Sequence, residues 1–347
     1  MKKTQDLFGS FFDLQDARLT KLKDPLAQLD KVVDWEAFRP LLSRIGPTAR
    51  KSNAGAPRRD EVLMFKGLVI QHLYGLSDEQ LEYQVEDRRS FQRFMGLDNY
   101  HRAPDAKTFW AFREQLVQRG LMEELFANFA GQLQGPGYRA RKGQLVDASL
   151  VPAPVQRNTR EENAQIKAGE VPADWEAEEA KPKRRQKDTD ARWTKQHGTS
   201  HYGYKHHVNV DNKNKLVRSY AVTPANVHDS PWLDDLLDED NTSKGVWADS
   251  AYRSKEQEAR LREKHYRSHI QRKAKRNQPL TAREQQGNRT RASVRVRVEH
   301  VFGAQCATRT KLIRCIGLKR SELAIGMMNL VYNMRRLCYL QGVSVPA

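Results

Sequence analysis

Cysteine is scarce in this sequence. Cys306, Cys315 and Cys338 are the only three in 347 residues, and no two form a C-x-x-C pair. That spacing excludes a disulfide framework and the usual zinc sites, and leaves the three as expected buried thiols. Long apolar runs are also missing. No stretch approaches the ~18 consecutive apolar residues that a membrane-spanning helix needs. The opening "MKKTQDLFGSFFDLQD" has two lysines but no apolar segment long enough for a secretory signal, so a cytoplasmic, nucleoid-associated protein is expected. Negative charge is in short supply as well: 60 Lys and Arg stand against 43 Asp and Glu, a net charge of +17. A field of that sign attracts polyanions, and nucleic acid is the leading partner. A membrane surface fits less well, because the aromatic residues are scattered.

A chain of this length exceeds the roughly 250–300 residues at which single cores stop growing, so two domains are expected. Residues 1–140 read as helical. "RRDEVLMFKGLVIQHLYGL" carries the wide apolar stripe of a buried helix, and "SDEQLEYQVEDRRSFQRFMGL" follows with Ser77 and Gln80 spaced as a capping box. "APDAKTFWAFREQLVQRGLMEELFANFAGQL" adds two more helices around Gly120. Such an array is compatible with a helix-turn-helix that reads a major groove, and equally with a bundle that only packs.

Strand signals dominate from "QLVDASLVPAPV" onward. "HYGYKHHVNVD" and "KLVRSYAVTPA" read as a hairpin, "GVWADSAYR" as a short apolar strand, "SKEQEARLREK" as a helix capped by Ser254 and Gln257, and "YRSHIQRKA" as a further strand. The order points to an α/β domain over 141–347 with a mixed sheet. The segment at about 157–192 is first acidic and then basic, and is expected to be an inserted polar loop unable to pack a core. His206 and His207, adjacent on a strand, would point to opposite faces and could not share a metal ion.

Two aspartates stand out. Asp147 lies inside an apolar strand and Asp249 ends another, and an ionised carboxylate in such surroundings costs several kcal/mol unless a cation or donors compensate it. A salt bridge would suffice. If the two strands are neighbours, however, both carboxylates reach the carboxyl ends of the strands, where open α/β sheets place ligands. Glu299, in "RASVRVRVEHVFGA", is harder to place: its V-R-V-R-V alternation fits a strand, whereas Val294, Val298, Val301 and Phe302 make one stripe of a helix with Arg295 a turn before Glu299. Two Asp and one Glu are hard oxygen donors, suited to Mg²⁺ or Mn²⁺, and a pair of such ions activates water and stabilises the leaving oxygen of a phosphodiester.

Taken in order, "LVDASLVPAP", "GYKHHVNVD", "AVTPANVHDS", "WADSAYRS" and "RVEHVFGAQ…IRCIGLKRSELAIGMMNLVYNMRRL" resemble the DDE transposases of bacterial insertion sequences, of the IS-five type, and the N-terminal motifs resemble that family's helical domain. The resemblance implies an RNase H-like mixed sheet flanked by helices behind an all-helical N-terminal DNA-binding domain. It also implies Asp147 on the first strand, Asp249 on the fourth and Glu299 on a following helix, as catalytic ligands of two Mg²⁺ (or Mn²⁺) ions. The implied function is metal-dependent cleavage at element ends and strand transfer into target DNA by a homodimer on double-stranded DNA. Around the glutamate the family pattern is Tyr, two residues, Arg, three residues, Glu, six residues, Lys. Arg295 and Glu299 match, whereas Ala292 and Cys306 occupy the Tyr and Lys positions, so the phosphate contact of that lysine falls to Lys311 or Arg309.

From Arg267 to Arg297 ten basic residues face a single acidic one, Glu284. Lys205, Arg253, Arg272, Lys273 and Arg295 are the individual candidates for DNA contact, each weighed against a local salt bridge. Two rival functions remain at this point. A non-catalytic DNA-binding repressor explains the charge and the helical domain but leaves the two aspartates without purpose. An RNA-binding structural protein explains the charge alone.

Overall fold

The computed structural model describes residues 14, 17–18, 21–22, 24–46, 58–97, 102–175, 177–196, 198–274, 277–307 and 313–342. The chain divides into two compact units. One comprises residues 1–138 with 327–347, the other 139–326.

The first unit is helical, as its periodicity predicts. Its main helices are α1 (Pro25–Val32), α2 (Glu61–Tyr74), α3 (Asp78–Asp87), α4 (Arg89–Met95), α5 (Ala106–Arg119) and α6 (Met122–Gln134). Asp60 caps α2 by accepting from the Leu63 amide at 2.9 Å, and Gly75 ends the helix at a φ of 62°. Ser77 and Gln80 then form the capping box read from the sequence. Phe38, Phe65, Leu68, Phe91, Phe109 and Phe129 fill the core. At Gly67 a Cβ would stand 2.4 Å from the Phe109 ring, so glycine allows α2 and α5 to approach. Arg113 closes the α3–α5 contact through a 2.6 Å pair with Asp78, which also accepts from Gln71.

The second unit is built on a six-stranded mixed sheet, with β1 (Gln144–Pro152), β2 (Arg192–Gln196), β3 (Thr199–Asp211), β4 (Val217–Pro224), β5 (Gly245–Trp247) and β6 (Arg267–Ser268). β1 is antiparallel to β3 and parallel to β5, and β5 is parallel to β6. Both β2 and β4 pair with β3, at successive stretches of its length. Gly203 sits where these pairings meet, at a φ of 149°. A Cβ there would lie 2.3 Å from the Val151 carbonyl oxygen, so "GYK" requires its glycine.

Helices lie on both faces, the mixed α/β architecture that the sequence predicts. On one, Val146, Val246 and Ala248 pack with Leu233, Leu236, Tyr252 and Ile270, and with Leu261 of α8 (Lys255–Glu263). On the other, α9 (Ala282–Arg295) packs on β5 and α10 (Arg297–Ala307) on β1, and α11 (Leu318–Leu340) closes the described chain. His206 and His207 part to opposite faces as expected: His206 stands edge-on to Phe302 of α10, and His207 stacks on Trp232. Their neighbour His197 lies outside the described residues.

Three local readings change. "YRSHIQRKA" forms only the two-residue strand β6. Ser254 caps α8, but the Gln257 side chain is drawn away to Asp234 at 3.1 Å instead of completing a capping box. The segment at about 157–192 is not too polar to pack. It forms helix α7 (Arg160–Ala168) with a Thr159–Glu162 capping box, and it buries Trp175 completely, the indole donating to Glu162 at 2.8 Å. Farther along, Asp188 is buried and accepts from the Tyr204 hydroxyl at 2.7 Å and from the Gly317 amide at 3.2 Å, while Asp190 accepts from the Leu318 amide at 2.8 Å. One tryptophan and two placed aspartates outweigh an unfavourable average composition.

Candidate active site at the carboxyl edge of the sheet

The parallel pairing of β1 with β5 sets Leu145 opposite Trp247. Asp147 and Asp249 each lie two residues beyond that pair, Asp147 within β1 and Asp249 just past the end of β5, so both carboxylates stand on the same side at the carboxyl end of the β1–β5 pairing. Asp147 is 8% exposed, and Oδ1 accepts from the Ala148 amide at 2.9 Å. Asp249 stands in extended backbone ahead of the turn Ser250–Tyr252. Asp249 follows β5, the fifth strand in chain order, rather than the fourth that the resemblance implies, because the short strand β2, directly after the polar segment, adds one to the count.

Glu299 comes from α10, and the ambiguous alternation resolves as helix on both sides of a break. α9 ends at Arg295, Val296 is its C-cap, and α10 starts at Arg297. Val298, Val301 and Phe302 are buried against the sheet, while Glu299 remains exposed. The two arginines diverge. The Arg295 guanidinium contacts Oδ2 of Asp147 and lies 3.8 Å from Oε1 of Glu299. Arg297 donates instead to Oδ1 of Asn212, at 2.5 Å, in the β3–β4 turn.

Burial pushes the Asp147 carboxyl up to about 6, against the lowering influence of Arg295 and the Ala148 amide; Glu299 and Asp249 push it further up. The three carboxylates therefore share one electrostatic neighbourhood. Among the described residues no three His, Cys, Asp or Glu side chains are close enough to form a ligand cluster; here a guanidinium stands between two of the carboxylates. A fourth carboxylate and a phenol also belong to the neighbourhood, neither identified by the sequence reading. Asp229 pairs with Lys205 at 2.8 Å and comes within 3.9 Å of His207. Tyr252 is buried and its hydroxyl has no hydrogen-bond partner among the described residues; burial, then Asp229, Asp147 and Asp249, hold its pKa well above the usual phenol range.

The candidate DNA contacts divide accordingly. Lys205 is occupied by Asp229 and the Val227 carbonyl. Arg253 donates to the Ile270 carbonyl at 3.1 Å and lies 3.3 Å from Glu258; Arg272 pairs with Glu284 at 2.6 Å; Lys273 is exposed. Cys306 is exposed rather than buried, Cys315 is half-buried and Cys338 buried. Arg309 and Lys311 lie outside the described residues. No helix among the described residues is long and apolar enough to cross a membrane.

Residues 138–334 match a family model described as "Transposase DDE domain", and residues 14–115 match one described as "Transposase domain (DUF772)". Among solved structures, the chain is similar to a piggyBac transposase in the cryo-EM structure of its synaptic complex with hairpin DNA, at 13% identity and a TM-score of 0.49, covering 94% of this chain and 77% of that one.

Proposed function

The chain belongs to the DDE transposase family, and we propose that Asp147, Asp249 and Glu299 are the carboxylates with which it cleaves insertion-sequence ends and joins them to target DNA. The observation that carries this assignment is the equal offset of Asp147 and Asp249 beyond the last β1–β5 pair, with α10 bringing Glu299 to the same face. A non-catalytic repressor is not favoured, because it gives a half-buried charge centre on the sheet no task.

The family acts on DNA with divalent metal ions, and the donor set here fits them. Glu299 and Asp249 add to the burial that raises the proton affinity of Asp147, and a cation among these hard oxygen ligands relieves that repulsion. We assign two Mg²⁺ or Mn²⁺ ions to this set. Held there by Asp147, Asp249 and Glu299, such ions would lower the pKa of water for attack and stabilise charge on the leaving oxygen. The residues do the rest. The β1 backbone fixes Asp147 through its pairing with β3, and the Ala148 amide orients its carboxylate. Arg295 offsets the charge of Asp147 and stands beside Glu299, where its guanidinium would also meet a phosphate brought to the carboxylates. Lys205 holds Asp229 through a 2.8 Å pair.

We place end recognition in the helical unit and assign it to the outer face of α5, where Lys107 and Trp110 are exposed one turn apart. The alternative helix α3 carries five carboxylates and no basic residue, a poor match to a phosphate-lined groove. Two ends must be processed together, so we expect a homodimer on DNA. The decisive test is substitution at almost constant volume: Asp147→Asn, Asp249→Asn and Glu299→Gln should each abolish Mg²⁺-dependent cleavage of end DNA while leaving binding in chelator intact. Any one of them that cleaves normally leaves the set.

A further inference from the structure

We propose that Arg253, Arg272 and Arg291 form one phosphate-binding cradle, distinct from the carboxylate centre, which grips the DNA backbone one helical turn ahead of Arg295 and sets how the strand enters the site. The proposal deepens the transposase reading and rests on it for the identity of the polyanion. Arg291 draws no notice in the sequence, where it is one of ten basic residues between Arg267 and Arg297.

Three separate segments build the cradle. Arg253 follows Asp249 by four residues and donates to the Ile270 carbonyl. Two residues on, the Arg272 backbone is clamped to α9: its amide donates to Oδ1 of Asn288 at 2.9 Å, and the Asn288 amide nitrogen donates back to the Arg272 carbonyl at 2.9 Å. Arg291 lies one turn farther along α9, donating to the same Asn288 oxygen at 3.3 Å, with its guanidinium 3.1 Å from where a Cβ would stand at Gly287. Glycine at 287 leaves the room that this side chain fills. The Arg253 and Arg291 guanidiniums are thus held on the Ile270–Arg272 stretch by a backbone carbonyl and by Asn288, and the clamped backbone of Arg272 sets its side chain beside them, an order that a solvated basic face does not require.

Their charges are incompletely balanced. Glu258 lies beside Arg253 and also accepts from the Ser268 hydroxyl, and Glu284 meets Arg272 while capping α9. That makes two carboxylates for three guanidiniums among the described residues, with exposed Lys273 beside them. Burial, then Arg272 and Arg253, hold the Arg291 pKa below its ordinary value, as expected of cations crowded together without enough counter-charge. His269, stacked on Trp247 at 4.4 Å, feels the same crowding from Arg291 and Arg267. An anion relieves all of it at once.

Position supplies the rest of the argument. Arg291 and Arg295 are four residues apart on one helix, about 6 Å along its axis. A strand of duplex carries one phosphate per roughly 3.4 Å of axis, so two phosphates within about two steps of one strand can occupy the cradle and the Arg295 position together. Arg295 touches Asp147, which links the grip on the backbone to the carboxylates through a single helix.

The test uses the full chain and a mixed-sequence duplex in chelator, with affinity measured across a salt series. Arg291→Gln and Arg272→Gln should each lower affinity equally for all sequences and reduce the slope of log affinity against log salt by about 0.9, the value for one lost phosphate contact. Arg291→Lys should restore the slope. Because the measurement is made in chelator and involves no cleavage, its outcome is independent of the catalytic assignment of the carboxylates. An unchanged slope in folded Arg291→Gln and Arg272→Gln overturns the cradle. A loss that Arg291→Lys does not restore overturns it too, since that outcome marks a local packing role.

Discussion

Burial gives the Asp147 carboxyl a folded-state pKa near 6, about two units above its ordinary 3.8, and that difference has a sign. Below about pH 3.8 the group is protonated in folded and unfolded chains alike. Between 3.8 and 6 the unfolded chain releases its proton first, so this residue's contribution to stability falls as pH rises, and above pH 6 the loss is complete at roughly 3 kcal/mol. Asp147→Asn should therefore be more stable to urea than the unaltered protein at pH 8, with only about a third of that gain at pH 4.5; a variant weakened equally at both pH values contradicts the assignment. Arg295 sets a second expectation. If its guanidinium holds the place of a divalent cation, Arg295→Ala should bind Ca²⁺ more tightly in the absence of DNA, by roughly tenfold or about 1.4 kcal/mol, in a calorimetric titration. Unchanged or weaker Ca²⁺ binding would show that the arginine supports the site instead. Asp147 and Asp249 were legible because a carboxylate in an apolar strand calls for compensation wherever it occurs. Asp229 and Arg291 were not, because the residues that give them meaning come from other segments: Lys205 across the sheet for one, the Ile270–Arg272 stretch for the other.

Elements repeat that lesson at larger size. The alternation in "RASVRVRVEHVFGA" satisfies both a strand and a helix, and tertiary contact decides: Val298, Val301 and Phe302 bury only as a helix on β1, and the break at Val296 lets Arg295 and Arg297 serve different partners. The hairpin, α2 and the α3 cap were readable because period and capping chemistry act locally. The inserted segment was not, since its mean composition conceals Trp175. Trp175→Ala removes a fully buried indole and its bond to Glu162, and should cost the insert about 3–5 kcal/mol of local stability. Limited proteolysis reads this directly, through new cleavage between Arg157 and Lys187; a digestion pattern unchanged from the parent protein would mean that Trp175 does not hold the insert together.

For the whole molecule, the division of the chain runs through α11, whose residues from Met327 onward count with the helical unit. Met327, Leu330, Val331, Met334 and Leu337 are all buried, and Arg335 lies near Tyr74 within that unit. A chain truncated after Gly326 removes these five side chains from the helical unit's core, so calorimetry should show that unit melting earlier or failing to fold, while an undiminished transition would detach the last helix from its stability. A linear sequence carries no sign that its final residues complete its first domain, whereas the β3–β4 hairpin of the second unit follows from period and turn spacing read locally.

The insert's attachment reaches beyond the present chain. Between Pro152 and Arg192 the polypeptide leaves the sheet and returns to it, and its return is fastened twice, by Asp188 to Tyr204 and Gly317 and by Asp190 to Leu318. Whatever lies upstream of those fastenings can lengthen or shorten without shifting the register of β1 against β3. A foreign domain grafted at the exposed turn after Ala168, where Gly169 ends α7, should therefore leave the carboxylate edge undisturbed. The same freedom gives evolving copies of this chain a place to acquire new surface without rebuilding their chemistry.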